Sequence, residues 1–269
     1  MRCGDTTTGE WRANEGERRE VGGTRWEAGR TAWCEREPRT DHAPASPYTS
    51  HLTPPTPHPP PDVKIALFGA TGRVGTRLLE YALAEGHSIR ALARDASRIA
   101  SRPGLAVVQG DVLDAPTVAR VIAGTDAVLS GLGGAGVQDP GEAQSQGMRN
   151  IVAGMKQHGV RRVLGVAGGG ILDSPSGGLR HDQPGFPAMF RAVSTRHMEA
   201  WHAMRDSGLD WTMIATGDIV PGERTGVYRW LDQRLPEKGN RISVEDVADF
   251  MLKELRANAH LRMRVGLGY

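Results

Sequence analysis

From Val63 onward the chain alternates short apolar runs with longer stretches in which apolar residues recur every three or four positions. Val63 to Phe68 is short and mostly apolar, which fits a strand buried on both faces. Behind it Val74, Leu78 and Ala82 fall four apart, as do Leu79 and Leu83, and predict an amphipathic helix closed at Gly86. Ser88 to Ala93 and Leu105 to Gln109 predict the second and third strands. Asp114 suits a helix cap, with Pro116 in the first turn and Gly124 at the end. Asp126 to Leu132 predicts the fourth strand. A helix around Gly141 to His158 follows, with Met148, Val152 and Met155 on one face. Arg162 to Ala167 predicts the fifth strand, and residues 168–187, rich in Gly and Pro, a loop. A helix from Ala188 to Arg205 precedes a strand at Trp211 to Ala215. Ser243-Val-Glu-Asp246 reads as a capping signature for a helix whose apolar face is Val244, Val247, Ala248, Met251 and Leu255. Arg262 to Val265 predicts a last strand. Such alternation gives an α/β fold, a doubly wound parallel sheet with helices on both faces.

The junction of the first strand and helix carries Gly69, Gly72 and Gly75. A glycine turn opening a helix is an anion site: free backbone N–H groups and the helix dipole favour a phosphate. Glycine is required where a side chain would block the pyrophosphate or the approach of helix to strand. The rival is an ordinary glycine-rich turn; the flanking strand and amphipathic helix favour dinucleotide binding.

Residues 1–62 break the pattern. Val21 and Leu52 are their only branched aliphatic residues, and the stretch ends in a proline-rich run from Pro54 to Pro61. So little to bury predicts a disordered Pro/Arg/Gly-rich extension, with the nucleotide-binding domain over 63–269. Val63 begins the first strand with no spare residues. A GTG codon there would serve as a start, so the natural product is expected to begin at Val63. Mass spectrometry of the native protein should then find no peptide from residues 1–50.

Charge and cysteine content narrow the chemistry. The formal charge is +2, divided between an extension with 8 Arg, no Lys and 10 acidic residues and a remainder with 25 basic and 21 acidic residues. A mild positive excess without a dense basic cluster suits an anionic cofactor and argues against nucleic acid. Both cysteines, Cys3 and Cys34, lie in the extension, which leaves the domain without a disulfide or thiol nucleophile. No metal-ligand spacing, signal peptide or membrane-length apolar stretch occurs, so a cytoplasmic protein with no metal and no membrane contact is expected.

The second strand ends at Arg94-Asp95-Ala-Ser97-Arg98, where the chain should reach the adenosine ribose. An acid there favours NAD and an arginine favours the 2′-phosphate of NADP. Arg94 and Arg98 point to NADP, while Asp95 offers the ribose an alternative partner. Asp111 after the third strand either accepts from the adenine amino group, with Val112 on the ring, or closes a plain Asx turn. Gly131-Leu132-Gly133-Gly134 lets a cofactor pass close to backbone at the carboxyl end of the fourth strand.

These segments, with Arg149-Asn-Ile-Val-Ala-x-Met-Lys156, His158-Gly-Val160 and Ser207-Gly-Leu209, resemble the atypical short-chain dehydrogenase/reductases. Within them the chain is most similar to the biliverdin reductase B/flavin reductase group, with the NmrA-like NAD(P)-binding proteins close by. The resemblance runs from Val63 to about Leu255. It implies a single Rossmann-type domain, NADPH as cofactor, and a pocket for flavin-like or tetrapyrrole-like molecules. Cofactor contacts would fall on Gly69, Thr71, Gly72, Arg73, Val74, Gly75, Arg94, Arg98, Asp111, Val112, Leu132 and Gly133. Departures are as informative. The group's serine after the fifth strand is replaced by Gly168, and its histidine after the sixth strand aligns with Asp218. None of Tyr48, Tyr81 and Tyr228 has a lysine four residues on, which removes the Tyr-x-x-x-Lys proton relay. Gly168, Asp218 and Tyr228 are the substrate-side candidates: Asp218 either handles a proton or caps its loop, and Tyr228 either stacks on a flat substrate or packs under the loop. His197, Met198 and Trp201 read as packing residues. No catalytic residue is assigned. The expected function is NADPH-dependent reduction of a small flat acceptor by a monomer or weak homo-oligomer, with a non-enzymatic NAD(P)-binding sensor of the NmrA type as the alternative.

Overall fold

The computed structural model describes residues 62–134, 136–137 and 139–269. The expectations for the extension fall on residues 1–61, outside the described residues. The strands in chain order are β1 (Lys64–Phe68), β2 (Ser88–Ala93), β3 (Leu105–Gln109), β4 (Ala127–Ser130), β5 (Arg162–Gly168), β6 (Asp210–Thr216), β7 (Asp218–Val220), β8 (Arg229–Asp232), β9 (Arg241–Ser243) and β10 (Met263–Gly268). Eight of them form one sheet in the order β3-β2-β1-β4-β5-β6-β10-β8. Every neighbour pair in it is parallel except β10 with β8. β7 and β9 pair separately. The winding direction reverses between β1 and β4, and such a reversal opens a crevice beyond the strands' carboxyl ends.

Helices cover both faces, as the alternating pattern requires. Ala66 and Phe68 of β1 enter one core with α2 (Ala115–Ile122), α3 (Ser145–His158) and α4 (Arg191–Arg205). Ile65 and Leu67, pointing the other way, enter the second core with α1 (Arg73–Ala84) and α5 (Val244–Ala257). α1 ends in a Schellman arrangement: Gly86, at φ 85°, donates to the Leu83 carbonyl, and His87 donates to that of Ala82. At the start of α5 the Ser243 hydroxyl accepts from the Asp246 N–H at 3.0 Å, so the capping signature is realised.

Several boundaries differ from the pattern. The third helix begins at Ser145, not Gly141, because Gly141 has φ 64° and leaves the helical region. The fourth strand stops at Ser130, where the glycine run leaves the sheet. Ala188–Phe190 forms a separate 3-10 turn before α4. The last strand starts after Arg262, which has φ 57°, and runs to Gly268. β7, β8 and β9 have no counterpart in the periodicity. The loop 168–187 is pinned by the buried Arg264 of β10. Its guanidinium donates to the Ile171 carbonyl and to Asp173 at 2.8 Å, with Nε on Gln233 at 2.7 Å, and lies over the Trp201 ring at 4.3 Å. No helix among the described residues is long and apolar enough to cross a membrane.

Candidate functional site

A cleft of about 1290 Å³ runs across the carboxyl ends of β1, β2, β4, β5 and β6, over the reversal point. Its floor is the glycine turn. Gly69 has φ 78°, and a Cβ there would lie 2.7 Å from the Gly131 backbone. At Gly75 a Cβ would fall 2.0 Å from the Gly69 carbonyl oxygen. Gly75 is therefore the position that lets α1 start against the turn, and it is not among the residues lining the cleft. Gly72 is less crowded; its Cβ would sit 3.2 Å from that same oxygen. Gly133 has open space where a Cβ would stand. The first backbone bond of α1 runs from Thr76 N–H to the Gly72 carbonyl. The N–H groups of Arg73 and Val74 precede it and have no intrahelical acceptor. Arg73 also ties this turn to β7, donating to the Ile219 carbonyl at 2.7 Å.

At one end of the cleft stand Arg94 and Arg98, both exposed, with no carboxylate partner among the described residues. Asp95 is engaged locally, accepting from the Ser97 hydroxyl at 2.6 Å and the Ser97 N–H at 3.0 Å. These bonds hold its carboxyl below the usual range. Asp111 closes an Asx turn by accepting from the Leu113 N–H at 2.9 Å, and it lines the cleft as well. Val112 is buried, and Asn150 donates to its carbonyl at 2.9 Å. Gly69, Thr71, Gly72, Arg73, Val74, Arg94, Arg98, Asp111, Val112, Leu132 and Gly133 are thus brought to one cavity. Unpaired arginines, helix N–H groups without acceptors and a glycine-lined floor suit a phosphorylated dinucleotide.

The opposite end is built on β5 and α4. The Gly168 N–H donates to His197 Nδ1 at 2.9 Å, which leaves Nε2 carrying the ring proton. Burial pushes this imidazole down to about 4, so it is neutral near pH 7. His197, expected to pack, lines the cleft instead. Asp218 also lines it; its backbone N–H donates to the Asn240 carbonyl at 2.7 Å, and its exposed carboxylate accepts no hydrogen bond from the described residues. Tyr228 corrects the sequence expectation. It lies away from the cleft, donating to Asp249 at 2.6 Å and packing edge-on against Phe250. Desolvation and that carboxylate push its phenol pKa up. Its apolar ring and the α5 carboxylate behind it explain the placement. Pattern reading missed Gln144, Arg180 and Ser194, which line the same cavity. Ser194 stands one helical turn before His197, a spacing that signals a shared face. Among the described residues no group of three or more His, Cys, Asp or Glu side chains is placed to hold a metal ion.

The neutral His197 has a consequence for stability. Its folded pKa lies below the ordinary 6.5, so between the two values the unfolded chain binds more protons. The contribution is complete above about pH 6.5 and is lost as pH falls toward about 4. Between about pH 7 and pH 5 it amounts to at most about 2 kcal/mol. Burial also lowers His87 and His202, so the comparison must be with His197→Gln. In denaturant titrations the variant is expected to lose less stability over this interval than the wild type. Equal losses would assign the pH dependence to other groups.

Residues 69–258 match the family model described as NAD(P)H-binding. The chain is 27% identical over 210 residues to the uncharacterised protein YwnB of Bacillus subtilis, covering 75% of this chain and 96% of YwnB. The structure of ChuY, an anaerobillin reductase from Escherichia coli O157:H7, superimposes with a TM-score of 0.65 at 25% identity, covering 76% of this chain and 96% of ChuY. SP1627 of Streptococcus pneumoniae, provisionally named an NADH-flavin reductase, shares the fold with a TM-score of 0.66 at 24% identity, over 77% of this chain and 99% of its own.

Proposed function

The chain belongs to the NAD(P)H-binding family, with the fold of the atypical short-chain dehydrogenase/reductases, and from that premise we propose that it is an NADPH-dependent reductase of a small flat acceptor such as a flavin, a quinone or a tetrapyrrole-like molecule. The observation that carries this reading is the continuity of one cleft, from two unpaired arginines, across the glycine turn, to the end beside His197. Arg94 and Arg98 would hold the 2′-phosphate, and the α1 N-terminus with Gly72 the pyrophosphate. Asp95 is less suited to the ribose, because its carboxylate already serves Ser97. NADPH, when bound, supplies a hydride.

The chain's own residues then orient the acceptor. Phe186, Phe190 and Leu235 offer flat or apolar surface, and the His197 Nε2–H donates a hydrogen bond to a carbonyl or ring nitrogen. A histidine this depressed is a hydrogen-bond donor, not a cationic acid, near pH 7. The acceptor's proton then comes from solvent, which suits acceptors that need positioning more than acid catalysis. Neutrality of His197, with glycine at 168, also favours the second reading, a sensor that binds the cofactor without turnover. A screen of flavins, quinones and bilins, followed by loss of NADPH absorbance, separates the two. Oxidation of NADPH with at least one class supports the reductase. Tight NADPH binding with no oxidation by any class supports the sensor.

A further inference from the structure

The acceptor end of the cleft holds more polar capacity than reducing a featureless flat molecule requires. Ser194 and Gln144 are each 3% exposed, yet the Ser194 hydroxyl and the Gln144 Oε1 have no hydrogen-bond partner among the described residues. Gln144 is held in place from its other side, where Nε2 donates to the Val166 carbonyl at 3.2 Å. Arg180 reaches the same cavity from the loop 168–187, its Nε buried without an acceptor, and no carboxylate among the described residues pairs with it.

Ser194, Gly170 and Phe186 meet at one point of this cavity, and Arg180 and Gln144 line the same cavity. A Cβ on Gly170 would meet the Ser194 hydroxyl at 2.2 Å and the Phe186 ring at 3.1 Å. The Phe186 ring lies 5.4 Å from that of His181, next to Arg180 in the chain. Ser194 precedes His197 by one turn of α4. Buried polar atoms left unpaired cost free energy, as does a partly buried cation without a counter-charge. Such a cluster is accounted for when a ligand supplies the missing partners: an acceptor for Arg180 and Ser194, and, from another part of the ligand, a donor for the Gln144 Oε1.

We propose that the acceptor carries a carboxylate and that Arg180, with the Ser194 hydroxyl, binds it, so that Arg180 is a specificity-determining residue for acidic flat acceptors. This rests on the reductase reading above and extends it to the substrate's chemical class. A guanidinium matches a carboxylate in shape and charge, and a hydroxyl completes its acceptor sites. One cation beside a neutral hydroxyl balances a single negative charge, which favours a carboxylate over a phosphate dianion. Phe186 and Phe190 then cover the flat body.

The test uses the full chain loaded with NADP and two probes of the same shape, anthraquinone-2-carboxylate and its neutral carboxamide. Calorimetry on the wild type should give at least tenfold tighter binding of the carboxylate, on the order of one charge-assisted hydrogen bond. Arg180→Met should bring the acid down to the amide's affinity while leaving NADPH affinity unchanged, with a thermal melt to verify folding. Equal affinity of the wild type for both probes, no binding of the acid, or a preference that survives in Arg180→Met overturns the assignment. Failure of the broader reading looks different: there the protein would not bind NADPH, or would bind it and pass hydride to no acceptor.

Discussion

Gly72→Val should yield a folded protein that no longer binds NADPH, whereas Gly75→Ala should fail to fold stably. The two glycines are three residues apart and do different work. At Gly75 even a methyl group would fall 2.0 Å from the Gly69 carbonyl oxygen and 2.6 Å from its carbon. Both atoms are backbone, locked by the 2.9 Å bond from Gly72 N–H to that carbonyl, so α1 would have to move off the turn. Overpacking costs about 1–3 kcal/mol, and more where the opposing atoms are backbone that cannot yield. Gly72 is at φ −82°, ψ 169°, an extended conformation open to any residue, and its Cβ would meet the protein no closer than 3.2 Å. A valine there needs only a small adjustment of the turn, but its methyls occupy the approach to the α1 N-terminus where a pyrophosphate would rest. NADPH affinity should fall by at least about two powers of ten, or roughly 2.7 kcal/mol. Circular dichroism melts and calorimetric titration read the two effects separately. A folded Gly72→Val with normal affinity would put the phosphates elsewhere. A Gly75→Ala protein melting like the wild type would contradict the packing described.

Arg94→Glu should reverse the cofactor preference. Only NADPH offers a 2′-phosphate to Arg94 and Arg98, and a charge-assisted hydrogen bond contributes about 1.5–3 kcal/mol, or one to two powers of ten in affinity. The wild type should therefore bind NADPH more tightly than NADH. Glutamate removes the bond and repels the phosphate, while its carboxylate can accept from the free ribose hydroxyls of NADH. NADPH affinity should drop steeply, and NADH affinity should hold or improve. Equal losses for both cofactors would make Arg94 a support of the fold. A wild type that prefers NADH would return the ribose to Asp95, despite its bonds to Ser97.

The parts of the fold legible in the sequence are those with local causes. β1 reads from a run of apolar residues, and α1 and α5 from apolar positions four apart with Gly86 and Ser243 at their ends. β8 was illegible for a physical reason. Arg229–Asp232 is an exposed edge strand, held by antiparallel pairing with β10 more than thirty residues away, so it needs no apolar alternation. β7 and β9 have three residues each and exist through each other. The cleft divides in the same way. Its cofactor end follows from a contiguous motif and a strand end. Its acceptor end draws Gln144, Arg180 and the α4 pair Ser194 and His197 from three separate parts of the chain, and only the one-turn spacing of Ser194 and His197 leaves a trace in sequence. Tyr228 is an aromatic residue in a glycine-rich segment, where exposure to a ligand and packing over Asp249 and Phe250 look alike until the chain is folded.

In the proposed function the cleft over the β1–β4 reversal holds NADPH with its adenosine at β2 and its nicotinamide beside β5. A crystal structure of the full chain with NADP tests it most directly. The 2′-phosphate is expected between Arg94 and Arg98, the pyrophosphate at Gly72 on the α1 N-terminus, and the nicotinamide near Gly168 and His197. A cofactor bound in the opposite sense, or one whose 2′-phosphate touches neither arginine, would contradict it.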